Sequence, residues 1–140
     1  MLKFMNSLEL QEISTNKQFI DFTQAAIPKD ENLNLGFSLQ MGMNDDHDKN
    51  KCSLILGCQS QVNDIPEEKD NPLNLEIVIT YRFTITDPDE FFEVNSETRA
   101  DILSNLVYLD FRRKLSLAFA SVGLGSIQFP LSITKLKAMS

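Results

Sequence analysis

Four stretches of this chain place an apolar side chain on every second residue, and a period of two commits a backbone to extended strands with one greasy and one wet face. The clearest is "LNLGFSLQMGMN", where Leu33, Leu35, Phe37, Leu39, Met41 and Met43 alternate with Asn34, Gly36, Ser38, Gln40, Gly42 and Asn44. "CSLILGCQSQV" aligns Cys52, Leu54, Leu56, Cys58 and Val62, and "LNLEIVITYRFTIT" aligns Leu73, Leu75, Ile77, Ile79, Tyr81, Phe83 and Ile85. An earlier segment carries Leu8, Leu10 and Ile13, then changes phase at "STNK" before Phe19, Ile20 and Phe22, which predicts a bulge. Clean alternation of this kind marks antiparallel strands with one covered face.

The connectors agree. "NDDHDKN" and "NDIPEEKDNP" are polar and rich in turn formers, and the two prolines of the second cannot continue a strand. At "TDPDEFFEV" the period changes: Asp87 can cap, Pro88 suits a first helical position, and Phe91, Phe92 and Val94 fall within about one turn. "NSETRADILSNLVYLDFRRKLSLAFASVGLG" then reads as one long helix, capped near Asn95 or Ser96 and stopped by Gly123 or Gly125. After it "SIQFPLSI" reads as extended, with a short basic tail. The expected fold class is therefore α+β, a four-stranded antiparallel sheet followed by a short helical turn and one long C-terminal helix, in a single domain of 140 residues.

That helix has more apolar surface than one sheet can cover. Leu103, Leu106, Val107, Phe111, Ala118 and Val122 follow one stripe, Ile102, Leu109, Leu117 and Ala120 tend toward another, and only a narrow polar strip remains around Asp101, Asn105, Arg112 and Lys114. A second protomer is expected to cover the surplus, with Ile102, Leu106, Leu109, Phe111 and Leu117 at the contact.

Chemistry has little to hold on to. The net charge of -7 argues against a nucleic-acid backbone as partner. The start "MLKFMNSLEL" lacks a signal-like apolar run and no stretch reaches membrane-spanning length, so a cytoplasmic protein without membrane insertion is expected. Cys52 and Cys58 lie roughly 20 Å apart if their segment is a strand, too far for a disulfide or a shared metal, and read as small buried hydrophobes. The "DDHD" run around His47 could gather a divalent metal in principle but reads as a solvated hairpin tip. "GLG" at Gly123 lacks the strand and third glycine of a nucleotide loop. Asp87, Asp89, Glu90 and Glu93 suit a helix start, and Arg112 and Arg113 diverge by about 100° around the helix. No catalytic, metal or cofactor site is expected. What remains unusual is a set of Met and Phe side chains near element ends, of the kind that adapts to partners of variable shape.

Three stretches, "LQEISTNKQFIDF", "YRFTI" and "ILSNLVYLDFRRKLSLAFASVGLGSIQFPLSI", make nearly the whole chain resemble the SecB family of export chaperones. Asn105, Leu106, Val107, Tyr108 and Arg112 stand where that family's helix carries N-[IL]-[LV]-[FY]-x-x-x-R, and Gly125, Phe129, Pro130, Leu131 and Ile133 occupy the small-residue turn, the F-P pair and the apolar run after it. The resemblance implies a homotetramer built as a dimer of dimers, with long helices sandwiched between sheets. It also implies apolar grooves that hold non-native polypeptide clients, for which Phe19, Phe22, Ile27, Phe37, Met41, Met43, Phe91 and Phe92 are the candidates. Two departures stand out. The chain ends about ten residues past Pro130, where SecB proteins continue into a second helix, and the run Lys17–Thr23 offers Asp21 alone in place of the acids that dock the translocase motor SecA.

The implied activity is ATP-independent holding of unfolded or precursor chains, not catalysis. Alternatives are a SecB-like chaperone dedicated to a toxin-antitoxin component, a small α+β enzyme or ligand-binding dimer for which Asp110 with Tyr108 is the one inward polar hint, and a structural or phage-derived assembly protein.

Overall fold

A strand that alternates apolar and polar residues gains most when a sheet neighbour satisfies its backbone and another layer covers its apolar face. The computed structural model describes residues 2–23 and 34–139. Among them the elements run helix α1 (Leu2–Met5), strands β1 (Leu8–Phe22), β2 (Leu35–Asp46), β3 (Lys51–Val62) and β4 (Leu73–Ile85), then helices α2 (Pro88–Glu93), α3 (Ser96–Ala120) and α4 (Ile133–Ala138). The strands form one antiparallel sheet in the order β1-β4-β3-β2, so β2–β3 and β3–β4 are hairpins while β1 returns to flank β4. Among the described residues two edges are left, one on β1 and one on β2.

The centre of the sheet is its greasiest part. Leu73, Leu75, Ile77, Ile79, Tyr81, Phe83 and Ile85 of β4 and Cys52, Leu54, Leu56 and Cys58 of β3 are all buried on the face covered by α3. Against them α3 packs Leu103, Val107, Phe111, Leu115, Ala118 and Phe119. At about 1.5–3 kcal/mol for each large side chain removed from water, this layer dominates the stability.

Local chemistry sets where α3 starts and stops. Asn95 caps it by accepting the Thr98 N–H at 2.8 Å. At the other end Gly123 takes φ 84°, its N–H bonds the Ala120 carbonyl and the Leu124 N–H reaches the Phe119 carbonyl, the paired bonds of a Schellman turn.

Strand β1 slips register against β4 twice, between Leu10 and Glu12 and between Thr15 and Lys17. The second slip falls in "STNK", as the phase change implies; the first answers the odd, three-residue step from Leu10 to Ile13. Each slip restores Leu8, Leu10, Ile13, Ile20 and Phe22 to the helix side while Phe19, opposite Glu76, points to the other face.

Two elements differ from expectation. Residues 133–138 are helical rather than a tail, and α4 buries Ile133 and Leu136 one turn apart. At the N-terminus α1 buries Phe4, whose ring stacks on Phe91 at 5.4 Å.

Candidate functional site

Grooves and contacts require side chains that the chain leaves uncovered, and accessibility sorts the expected residues into three groups. Phe91 and Phe111 are 0% exposed. Phe111 belongs to the α3–sheet core and not to an outer contact face, and Phe91 is enclosed by Phe4, Phe92 and the Arg99 guanidinium, so neither walls an open groove in this chain. Phe22, Phe37, Met43 and Phe92 are half-buried. Phe37 lies against Phe119 at 6.0 Å and Phe129 at 5.6 Å; Phe92 lies against His47 at 4.5 Å. Met41 and Phe19 are exposed, Phe19 to 51%. Ile27 lies outside the described residues.

Phe19 and Phe37 both border the cavity beside the β3–β4 loop, but the candidates as a set do not share one groove. Phe37, Met41 and Met43 sit on edge strand β2, Phe22 ends the opposite edge strand β1, and Phe19 is on the reverse face of the sheet.

The outer face of α3 is what the chain leaves most conspicuously bare. Leu106, Leu109 and Leu117 are 48%, 61% and 57% exposed, with Ile102 half-buried beside them and only Arg113 interrupting the stripe. Leu10 and Ile13 of β1 are also exposed, on the same side of the sheet as the helix. Alternation marks Leu10 and Ile13 as inward-facing but carries no signal for how far across the sheet the helix reaches. α3 lies over β3 and β4 instead. The Tyr81 hydroxyl donates to Asp110 at 2.9 Å and Ile13 is the β1 partner of Tyr81, so the flank of α3 that carries Asp110, Leu106 and Leu117 looks toward β1.

The polar residues singled out from the sequence are tied up in structural bonds. Burial raises the Asp110 carboxyl, but hydrogen bonds from Lys114 and Tyr81 outweigh it and hold the group below its ordinary range. Tyr108 donates instead to the Pro130 carbonyl at 2.6 Å, so the Tyr108 and Asp110 pair does not converge on a common point. Arg112 bonds the Phe129 carbonyl while Arg113 reaches Asp110, so the two arginines form no clamp. Asp87 caps α2 by accepting from the Glu90 N–H.

The "DDHD" run divides among three jobs. Asp45 pairs with buried Arg99 at 2.7 Å, Asp46 accepts the Lys49 N–H, and His47 rests on Phe92. Among the described residues no group of three His, Cys, Asp or Glu is placed to hold a metal, and no helix is long and apolar enough to cross a membrane. Cys52 and Cys58 are free and buried; burial pushes both thiols up to about 12, with Asp45 adding to the effect at Cys52.

On the face away from the helices lies a cavity of about 530 Å³ lined by Phe19, Ser38, Gln59, Gln61, Asn74 and Glu76 and walled by the β3–β4 loop. Asn71 stiffens that loop by accepting from the Val62 and Leu73 N–H groups and donating to the Val62 carbonyl. The lining is mostly neutral, since Glu76 accepts from Gln59 and pairs with Lys17, which together hold its carboxyl below the usual range.

No family model and no curated protein matches the sequence. Solved structures do. The SecB-like chaperone Rv1957 of Mycobacterium tuberculosis, determined in complex with a ChAD peptide from the Rv1956 HigA1 antitoxin, superposes with a TM-score of 0.66 over 92% of this chain and 93% of its own, at 10% identity. A protein of unknown function from Streptococcus agalactiae matches with a TM-score of 0.40 at 11% identity, over 88% of this chain and 96% of that one. The first match extends across sheet and helices alike, and the chain therefore has a SecB-like α+β fold.

Proposed function

We propose that this protein is an ATP-independent holdase, a chaperone that binds non-native polypeptides and keeps them competent for folding or export. The observation that carries the reading is the SecB-like fold shared with a chaperone bound to a peptide. Exposed apolar side chains on both edge strands and along α3 support it.

The physical logic is that of mass action. An unfolded client exposes apolar side chains and unpaired backbone groups, both of which drive aggregation. Met41, Met43 and the half-buried Phe22, Phe37 and Phe92 offer cover for the former, and the open edges of β1 and β2 offer backbone partners for the latter. Binding the unfolded state delays folding without consuming energy. Several weak contacts along one client add through effective concentration, so no single deep pocket is required.

In this reading the bare stripe of Ile102, Leu106, Leu109 and Leu117 belongs to a second copy of the chain, with a dimer of dimers as the working assembly in the cytoplasm. A SecA-like partner has the least support, because Asp21 is the one acid in the run Lys17–Thr23. Service to one toxin-antitoxin component is a second reading, favoured by the antitoxin peptide held by the structural neighbour.

The test is suppression of light scattering when a chemically unfolded globular protein is diluted into buffer without nucleotide. A holdase suppresses it at stoichiometric amounts. Failure there, together with tight binding to one antitoxin segment, would move the assignment to the dedicated chaperone; turnover of a small molecule would remove both.

A further inference from the structure

Among the described residues, the sheet face away from the helices contains a glycine that no neighbouring group explains. Glycine in a strand interior costs stability and marks a bulge, an unusual φ or the close approach of another group. Gly36 meets the last condition, since a Cβ there would strike the Asn63 side-chain oxygen, and Gly57 sits beneath Val78 and Gln40. Gly42 meets none of them. It pairs with Ile55 in unbroken register, its φ is not positive, and a Cβ would find no heavy atom of the described residues within 4 Å.

Its neighbours on that face extend the observation. The register places Phe19 of β1, Val78 of β4 and Ile55 of β3 on a diagonal, with Gly42 of β2 directly opposite Ile55 at its end. Phe19 is 51% and Ile55 38% exposed, with half-buried Val78 between them, on a sheet face that is otherwise polar. Amides and hydroxyls border the diagonal: Gln59 and Ser38 on the side of the cavity, Asn16 bonded to Thr80 on the other.

We propose that this diagonal, from the cavity at Phe19 to Gly42, is a second polypeptide-binding track that takes an extended, unfolded segment on the face opposite the helices. The proposal rests on the holdase reading and adds a site to it. The occupant follows from the surface. The apolar part of this face is a strip one side chain wide, bordered on both sides by polar groups, whereas a stable interface between folded copies is built around a contiguous apolar core, so a second folded copy does not fit the requirement. A single extended chain does: its apolar side chains need one narrow strip, and the bordering amides match its backbone N–H and C=O groups. The bare backbone at Gly42 lets that chain approach the sheet edge closely.

Gly42→Val gives a test in which folding and binding move in opposite directions. Valine fits the strand and the open space, so the full-length variant melts at or a few degrees above the wild type. Its affinity for a fluorescein-labelled, reduced and alkylated globular protein falls at least fivefold, and Phe19→Ser gives a similar loss. A photo-crosslinker placed at position 55 captures the labelled chain in the otherwise unaltered protein. If the wild type binds the probe while Gly42→Val and Phe19→Ser bind equally well and position 55 captures nothing, the track is refuted and the holdase reading stands. If the wild type itself does not bind the probe, both fall.

Discussion

Arg99 ties three elements together through one side chain. Its guanidinium lies 5.0 Å from the Phe91 ring and 5.1 Å from Phe92, donates to the Val94 carbonyl and pairs with Asp45, so it joins α2, α3 and the end of β2. Breaking a largely buried pair strands the remaining charge, and Arg99→Ala is expected to cost about 3 kcal/mol, read as a lower urea midpoint at unchanged m. The two thiols offer a second check at this scale. Both are buried with pKa values pushed up to about 12 against an ordinary 9.0, so thiol reagents at mildly alkaline pH label the folded protein slowly and the denatured protein at once. The sign follows from linkage: the folded state keeps its protons where unfolded thiols have lost theirs, so the contribution is whole below about pH 9 and lost as pH rises toward 12.

Among the elements, α3 has two working faces. Its inner face is welded to β3 and β4; its outer face presents Leu106, Leu109 and Leu117 to water. Substitutions on the outer face should therefore separate assembly from folding. A Leu109→Lys, Leu117→Lys double variant is expected to reduce the solution mass measured by light scattering, with the folded subunit destabilised by no more than about 0.5 kcal/mol per change. A monomeric wild type would remove the assembly argument at its root. Strand β1 has a comparable duality: its two register slips let it keep Leu10 and Ile13 on the helix side and still turn Phe19 to the reverse face.

For the whole molecule, charge and apolar surface make distinguishable predictions. The chain carries a net charge of -7, and an electrostatically captured client would be released as salt shortens the screening length from about 10 Å at 0.1 M toward about 3 Å at 1 M. Apolar capture does not weaken in this way. Aggregation suppression is thus expected to persist at about 0.5 M NaCl, and its loss there would assign client binding to charge instead.

The legibility of the chain divides along the range of the interactions involved. Period-two alternation is a local property, so the four strands, the polar hairpins and the cap at Asn95 could be read from neighbours in the sequence, and so could the burial of Cys52 and Cys58. The length of α3 was legible for the same reason. Burial of Phe91 and Phe111 was not, because it depends on Phe4 stacking from the far end of the chain and on where the helix axis lies over the sheet. Helix α4 escaped notice because six residues with two apolar contacts carry too little periodicity to stand apart from an extended run. The candidate groove residues scattered over both edges and both faces because alternation tells which side chains share a side of one strand, while strand order and helix placement decide which sides remain open to water. Sequence determined the elements; the packing of α3 over only the β3–β4 half of the sheet decided what they leave exposed, since a single helix is too narrow to cover four strands.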